Sequence, residues 1–377
     1  DMEGSRGLGD VYKRQRMLTA QATIDGTLPV AVEQVAGIPY VPERVASELR
    51  DLTVDGRVCG YFDLSIPIKG ASKIPTISTR VEVSGATVSV PTPPITLERV
   101  KGEFVYEYPR GIADGSLAAR FENQDILLDL DLDANDLGLS QKGFSIATSA
   151  RLGGADVNRL LGVTVPDGLL DGSSAFDIVF QAGRGVALNV TSDLDGLAVG
   201  LPLPFNKSPE QSESLEIDLR ISDVLSIDAT YSNNLSLSIA QDTENAWRAL
   251  ASIGEVRSEL TLDDVDAGTA VISGRIEELD ISAWADTQAR FRSGGNPGLP
   301  AIVWRDFSVD KLALGETDFG AFSSTGQYEG ELTSLGLAGD FIKAQIDFDR
   351  PEAQLNIQIE SLSLDSLPNI NVCLLYT

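Results

Sequence analysis

The sequence predicts a mainly all-β fold: an elongated, twisted antiparallel sheet curled into an open hydrophobic groove, with a few short helices. Three observations lead there. Apolar and polar residues alternate along many short runs, turn-forming residues separate the runs, and helical periodicity is scarce. Alternation with a period of two puts one set of side chains on each face of a strand. The pattern offers no helical layer to cover the apolar face of so much sheet. Such a sheet must close into a barrel, fold into a sandwich, or curl into a trough that leaves the face for a ligand.

The runs can be taken in order. Asp125–Asp133 (DILLDLDLD) places Ile126, Leu128, Leu130 and Leu132 on one face and Leu127, Asp129, Asp131 and Asp133 on the other. Leu215–Ile221 (LEIDLRI) alternates throughout, with Leu215, Ile217 and Leu219 inward and Asp218 outward. Leu235–Ile239 (LSLSI) directs Leu235, Leu237 and Ile239 inward. Leu355–Ser361 (LNIQIES) does the same with Leu355, Ile357 and Ile359, and Asn356 faces out. These inward residues are the candidate groove lining. Asp114-Gly115, Asp195-Gly196, Asn233-Asn234 and Asp349-Arg350-Pro351 supply turn chemistry between strands. A short helix is expected at Ala155–Leu161, where Asp156 can cap and Gly162 can close. A second is expected at Thr243–Ile253, where Ala246, Trp247, Leu250 and Ile253 lie at helical spacing. Val90–Ile95 and Gly294–Pro300 are the expected breaks in sheet continuity. No strict repeat is visible, which disfavours a β-helix or a propeller.

The ends do not share this pattern. Residues 1–15 (DMEGSRGLGDVYKRQ) and 372–377 (VCLLYT) look like translated adapter sequence, which leaves residues 16–371 as one genuine β-groove segment. The whole chain carries 56 Asp and Glu against 29 Lys and Arg, a net charge of −27. That balance argues against nucleic acid as a partner, because phosphate binding needs clustered cations. A hydrophobic content of 42% argues against disorder. No run of 18 apolar residues is present, so nothing here reads as a membrane-spanning helix.

Chemistry-bearing residues are few. Histidine is absent, and with it the usual Ser-His-Asp, Cys-His and histidine–metal arrangements. Cys59 is the one cysteine of the genuine segment, so it forms neither a disulfide framework nor a cysteine metal site. Asp129, Asp131, Asp133 and Asp136 resemble the start of a calcium loop. However, Ala134 stands where the turn glycine belongs and Ser140 where the closing glutamate belongs. Their spacing is that of the solvated face of a strand. Trp247, Trp284 and Trp304 are far apart in sequence and read as core anchors rather than as a stacking platform. No catalytic residue, metal or cofactor is expected.

Several stretches resemble the YhdP family of AsmA-like envelope proteins. They are Ala155–Phe180 (ADVNRLLGVTVPDGLLDGSSAFDIVF), Leu188–Lys207 (LNVTSDLDGLAVGLPLPFNK), and Ser273–Trp284 (SGRIEELDISAW) followed by the Leu299–Gly320 strands. Their shared order along residues 16–371 carries more weight than any one of them. The resemblance implies a periplasmic β-groove in a protein anchored in the inner membrane of a Gram-negative cell. It implies phospholipid transport between inner and outer membrane, with acyl chains as the bound partner, in support of outer-membrane integrity. It brings no catalytic motif.

Two other classes remain open. A structural or adhesive β-rich surface protein would cover its apolar faces and show no continuous cavity. A carboxylate enzyme acting on envelope glycans would point a pair of acids inward among aromatic residues.

Overall fold

Strand pairing dominates the computed structural model. Among the described residues 68% lie in strands and 13% in helices. The structure describes residues 17–37, 43–67, 76–91, 94–108, 111–131, 144–161, 165–182, 185–222, 224–232, 234–244, 246–254, 260–293, 301–329, 332–349 and 354–363. Leu132, Asp133, Asp136 and the Gly294–Pro300 break lie outside them, as do both chain ends. The contacts divide the chain into two units, Asp1–Val90 with Thr96–Ser145, and Pro91–Ile95 with Ile146–Thr377.

The first unit contains β1 (Met17–Thr27), α1 (Leu28–Ala36), α2 (Glu43–Asp51), β2 (Thr53–Pro67), β3 (Thr76–Val90), β4 (Ile95–Tyr108), β5 (Gly111–Phe121) and β6 (Gln124–Asp131). β1, β2 and β3 form one antiparallel meander, and β4, β5 and β6 another. The two helices were not foreseen from apolar periodicity. Pro29 in the first turn of α1 was the available signal, since its ring presets the helical φ and its missing N–H costs nothing there. Ala36 and Ala46 are buried, and the Arg50 guanidinium donates to the Ala36 carbonyl at 3.3 Å.

β6 shows how alternation becomes packing. Ile126, Leu128 and Leu130 are buried, whereas Asp125, Leu127, Asp129 and Asp131 are exposed. Leu130 is 6% exposed, so a charge placed there would be buried in an apolar setting. Leu130→Asp should therefore cost about 3 kcal/mol or more of folding stability. Asp129→Ser should stay within about 0.5 kcal/mol of the parent. Urea unfolding of the two variants checks this, and equal losses would mean that β6 does not distinguish its faces.

The second unit contains β7 (Phe144–Gly153), α3 (Gly154–Leu161), β8 (Leu170–Ala182), β9 (Val186–Ser192), β10 (Leu197–Val199), β11 (Leu215–Ile221), β12 (Leu225–Tyr231), β13 (Leu235–Gln241), β14 (Trp247–Ile253), β15 (Thr269–Asp280), α4 (Ile281–Ser293), β16 (Ala301–Leu314), β17 (Thr317–Asp318), β18 (Phe322–Tyr328), β19 (Leu332–Gly339), β20 (Ile342–Asp349) and β21 (Gln354–Leu362). The ladder runs β8–β9–β11–β12–β13–β14–β15–β16–β18–β19–β20–β21. Its two ends do not pair with each other among the described residues, so the sheet is open. β10 continues the path of β9 along β8 after the turn at Asp193–Gly196.

Two expectations are corrected here. The Thr243–Ile253 segment is not a helix: Trp247–Ile253 forms β14, paired antiparallel with β13. Trp247, Ala249, Ala251 and Ile253 alternate as well as they fit a helical stripe, and pairing with β13 decides the matter. The Asp242 carboxylate accepts from the Glu244 and Ala246 N–H groups and builds the turn that returns the chain. The sheet is also not wholly antiparallel. β14–β15 and β15–β16 are parallel, the second linked through α4. Parallel neighbours require a crossover connection, and α4 supplies it in a segment for which the sequence pattern gave no element. α3 lies where the Ala155–Leu161 helix was expected, with Asp156 accepting from the Gly153 N–H at 2.9 Å.

Candidate functional site

The parallel strands shape the most distinctive surface of the second unit. Ile272 and Ile276 of β15 point to the same side as Trp304, Phe307, Val309 and Leu312 of β16. Trp304 and Phe307 are an odd number of residues apart and would ordinarily face opposite ways. A bulge at Arg305–Asp306, with Asp306 at φ 49°, shifts the register between them and turns both rings inward. β18 adds Phe322 and Ser324, and β19 adds Leu335 and Leu337. The turns beyond add Phe319 and Phe341. Over these strands lie Pro204 and Phe205 from the loop after β10, together with Ile281 and Trp284 from α4. The groove so formed holds about 750 Å³.

Glycines let the rings lie flat. Gly326 is opposite Trp304 and Gly339 is opposite Phe322 across the ladder. A Cβ at Gly339 would come within 2.6 Å of the Phe322 ring. Phe322 meets Phe341 edge-on at 5.6 Å, and Phe341 is also 6.0 Å from Phe319. The polar groups of the lining are engaged. Trp304 Nε1 donates to Ser324 Oγ at 3.0 Å, and Trp284 Nε1 donates to the Leu203 carbonyl at 3.3 Å. A dry wall of this kind offers a ligand area and shape and almost no hydrogen bonding.

Charge is kept to the solvated side. The Arg275 guanidinium grips both Asp310 carboxylate oxygens at 2.8–3.3 Å, and Lys311 Nζ donates to Glu278 at 2.7 Å. The hydrogen bond from Glu278 raises the Lys311 pKa above its ordinary value of 10.5, with the charges of Glu278, Asp318 and Asp280 adding to it. Among the described residues no group of three or more His, Cys, Asp or Glu could hold a metal ion.

The residues singled out from alternation are placed as follows. Leu128 and Leu130 are buried in the first unit, and Leu132 lies outside the described residues. Leu215, Ile217 and Leu219 are half-buried on β11, as are Leu235, Leu237 and Ile239 on β13. Asp218 is half-buried too and accepts a hydrogen bond from Asn189 Nδ2 at 3.0 Å. Leu355, Ile357 and Ile359 on β21 are each 54% exposed, and Asn356 is exposed. None of these residues lines the 750 Å³ groove. Much of its lining falls within the stretches that resemble the family, Phe205, Ile276, Trp284 and Phe307 among them, and Trp284 and Trp304 read as core anchors. Sequence carried one signal: six aromatic residues of the lining fall between Trp284 and Phe341.

The class this defines is structural: an open, curled β-sheet with a trough lined by aromatic and aliphatic side chains. The YhdP protein family matches the chain over residues 9–372, and the chain belongs to that family. It is a family of envelope proteins and not one of known enzymes. Neither a curated protein nor a solved structure is detectably similar to the chain. No helix among the described residues is long and apolar enough to cross a membrane.

Proposed function

We propose that the chain is part of a periplasmic conduit that moves phospholipids between the inner and outer membranes, in a protein anchored in the inner membrane, and so supports the outer-membrane barrier. The dry groove of the second unit carries this reading. Its partners would be phospholipid acyl chains, with headgroups left in water. Each buried methylene contributes about 0.8 kcal/mol, so ten contribute about 8 kcal/mol without any specific contact. The acidic exterior stays solvated and has no use for nucleic acid. In the same reading, Leu128, Leu130 and Leu132 line the path in the first unit. Leu215, Ile217, Leu219, Leu235, Leu237, Ile239, Leu355, Ile357 and Ile359 extend it in the second.

The reading is tested by photocrosslinking in cells from single positions, followed by lipid analysis of the adducts. Phospholipid adducts are expected from Val309, Leu337 and Leu237, and none from Asp310 or Glu277. Equal labelling of both sets would leave a structural, β-rich surface protein as the better description.

A further inference from the structure

The groove is not uniform along its length, and the difference lies in its roof. Most of its wall is sheet, fixed by backbone ladders on both sides. Over one stretch it is covered by two segments that belong to no ladder, α4 and the Leu201–Phe205 loop. They meet through a single ring pair, Trp284 with Phe205, at 5.9 Å and an interplanar angle of 85°. The indole N–H of Trp284 adds its bond to the Leu203 carbonyl. Further along the helix, the Arg290 guanidinium donates to the Asp167 carbonyl. These bonds end on side chains of α4, which also packs against β16. The opposite face of α4 carries Ala285, Asp286, Gln288 and Ala289, all exposed, so the roof is one helix thick.

The lining of the same groove also differs from the aliphatic faces elsewhere. Trp304, Phe307 and Phe322 present rigid rings there, the first and last set flat over glycines. A surface built for unhindered sliding needs many similar sites of modest depth. A stretch that adds aromatic rings from a helix and a loop to those of the strands gives a chain more contact than a bare aliphatic face does.

We propose that this stretch is a discrete holding site for one apolar tail, and that Trp284 and Phe205 form the latch that sets how long the tail stays. The proposal rests on the lipid-groove reading above and adds a station to it. The latch pair contacts the tail from above and the strands hold it from below. Release requires the α4–Phe205 contact to part, and access to the site follows the same route. Trp284 has two separable functions in this scheme: its ring closes over the ligand, and its N–H anchors that ring to Leu203.

The test uses the full chain with Trp247→Phe, so that only groove tryptophans emit. Vesicles of phosphatidylcholine bearing 9,10-dibromostearoyl chains serve as the probe, because bromine quenches an indole on contact. Trp304 is the floor reporter in Trp284→Ala and Trp284→Phe chains, and both tryptophans report in the Phe205→Ala chain and its parent. Saturable quenching is expected in all four. Chase with unbrominated phosphatidylcholine should restore emission about tenfold faster in Trp284→Ala and Phe205→Ala, the factor that follows from losing one aromatic pair and its contacts. Trp284→Phe keeps the ring and loses the N–H, and should fall between them and the parent. Circular dichroism shows that each variant keeps its sheet. Recovery at one common rate in all four chains would overturn the latch and leave the lipid groove standing. Absence of quenching in every chain would overturn both.

Discussion

Phe322→Ala should lower the folding stability of the second unit by about 3–5 kcal/mol, the range for removing a large buried ring. Phe322 is only 7% exposed although it borders the groove. It stands opposite Val309 on one side and Gly339 on the other, and Phe341 packs against its edge. Gly339 cannot fill the space, because it has no side chain to move. Trp304 lies further along the same wall and is tied to Ser324. The hole should therefore persist rather than collapse. The check is the urea midpoint at constant slope. A loss below about 1 kcal/mol would mean that the ring is not packed between its neighbours.

A comparable loss, about 3 kcal/mol or more, is expected for Gly274→Ala. Gly274 sits at φ 139°, a conformation that L side chains rarely adopt, and lies opposite Ile253 in the parallel β14–β15 ladder. A Cβ there would overlap the Ile253 carbonyl oxygen that the ladder needs. Gly268 provides the control. It also has a positive φ, 78°, but open space surrounds its Cβ position. Gly268→Ala should cost only the conformational strain, about 1 kcal/mol. If the two substitutions melt alike, close approach between β14 and β15 is not what fixes the crossover.

How far the sequence foretold the structure depends on what kind of contact decided each element. Leu215–Ile221 alternates in sequence, and β11, paired on its edges by β9 and β12, has those same bounds. β6 and β21 carry the same alternation, although among the described residues β21 pairs only with β20, at the end of the ladder. Trp247–Ile253 was read wrongly because its residues satisfy both periods, and the deciding partner, β13, lies on the far side of a turn. α4 is signalled by Asp280, whose carboxylate accepts from the Ser282 and Ala283 N–H groups at the start of the helix. Its apolar stripe is too weak to stand out.

The site was the least legible part. Trp304 and Phe307 face one way only because of the two-residue bulge between them, and a bulge leaves no mark on a pattern read two residues at a time. Phe205 and Trp284 meet across a long stretch of intervening sequence. Alternation located strands, and on β6 it also located the faces, with Leu128 and Leu130 buried and Asp129 exposed. It could not say which of many apolar faces would be roofed.

The two parallel steps in the ladder also set an order in time. Most strands of the second unit pair with a neighbour across a short turn, so those hairpins can form from local chain alone. β15 cannot: the stretch between β14 and β15 and the one that contains α4 must each close before a first parallel bond forms. The entropy of closing such loops is lost before any contact offsets it, and non-local pairings are correspondingly slow. The hairpin runs on either side would form early and wait for β15 to join them. During that interval Trp304, Phe307 and Phe322 face water or whatever apolar surface is near.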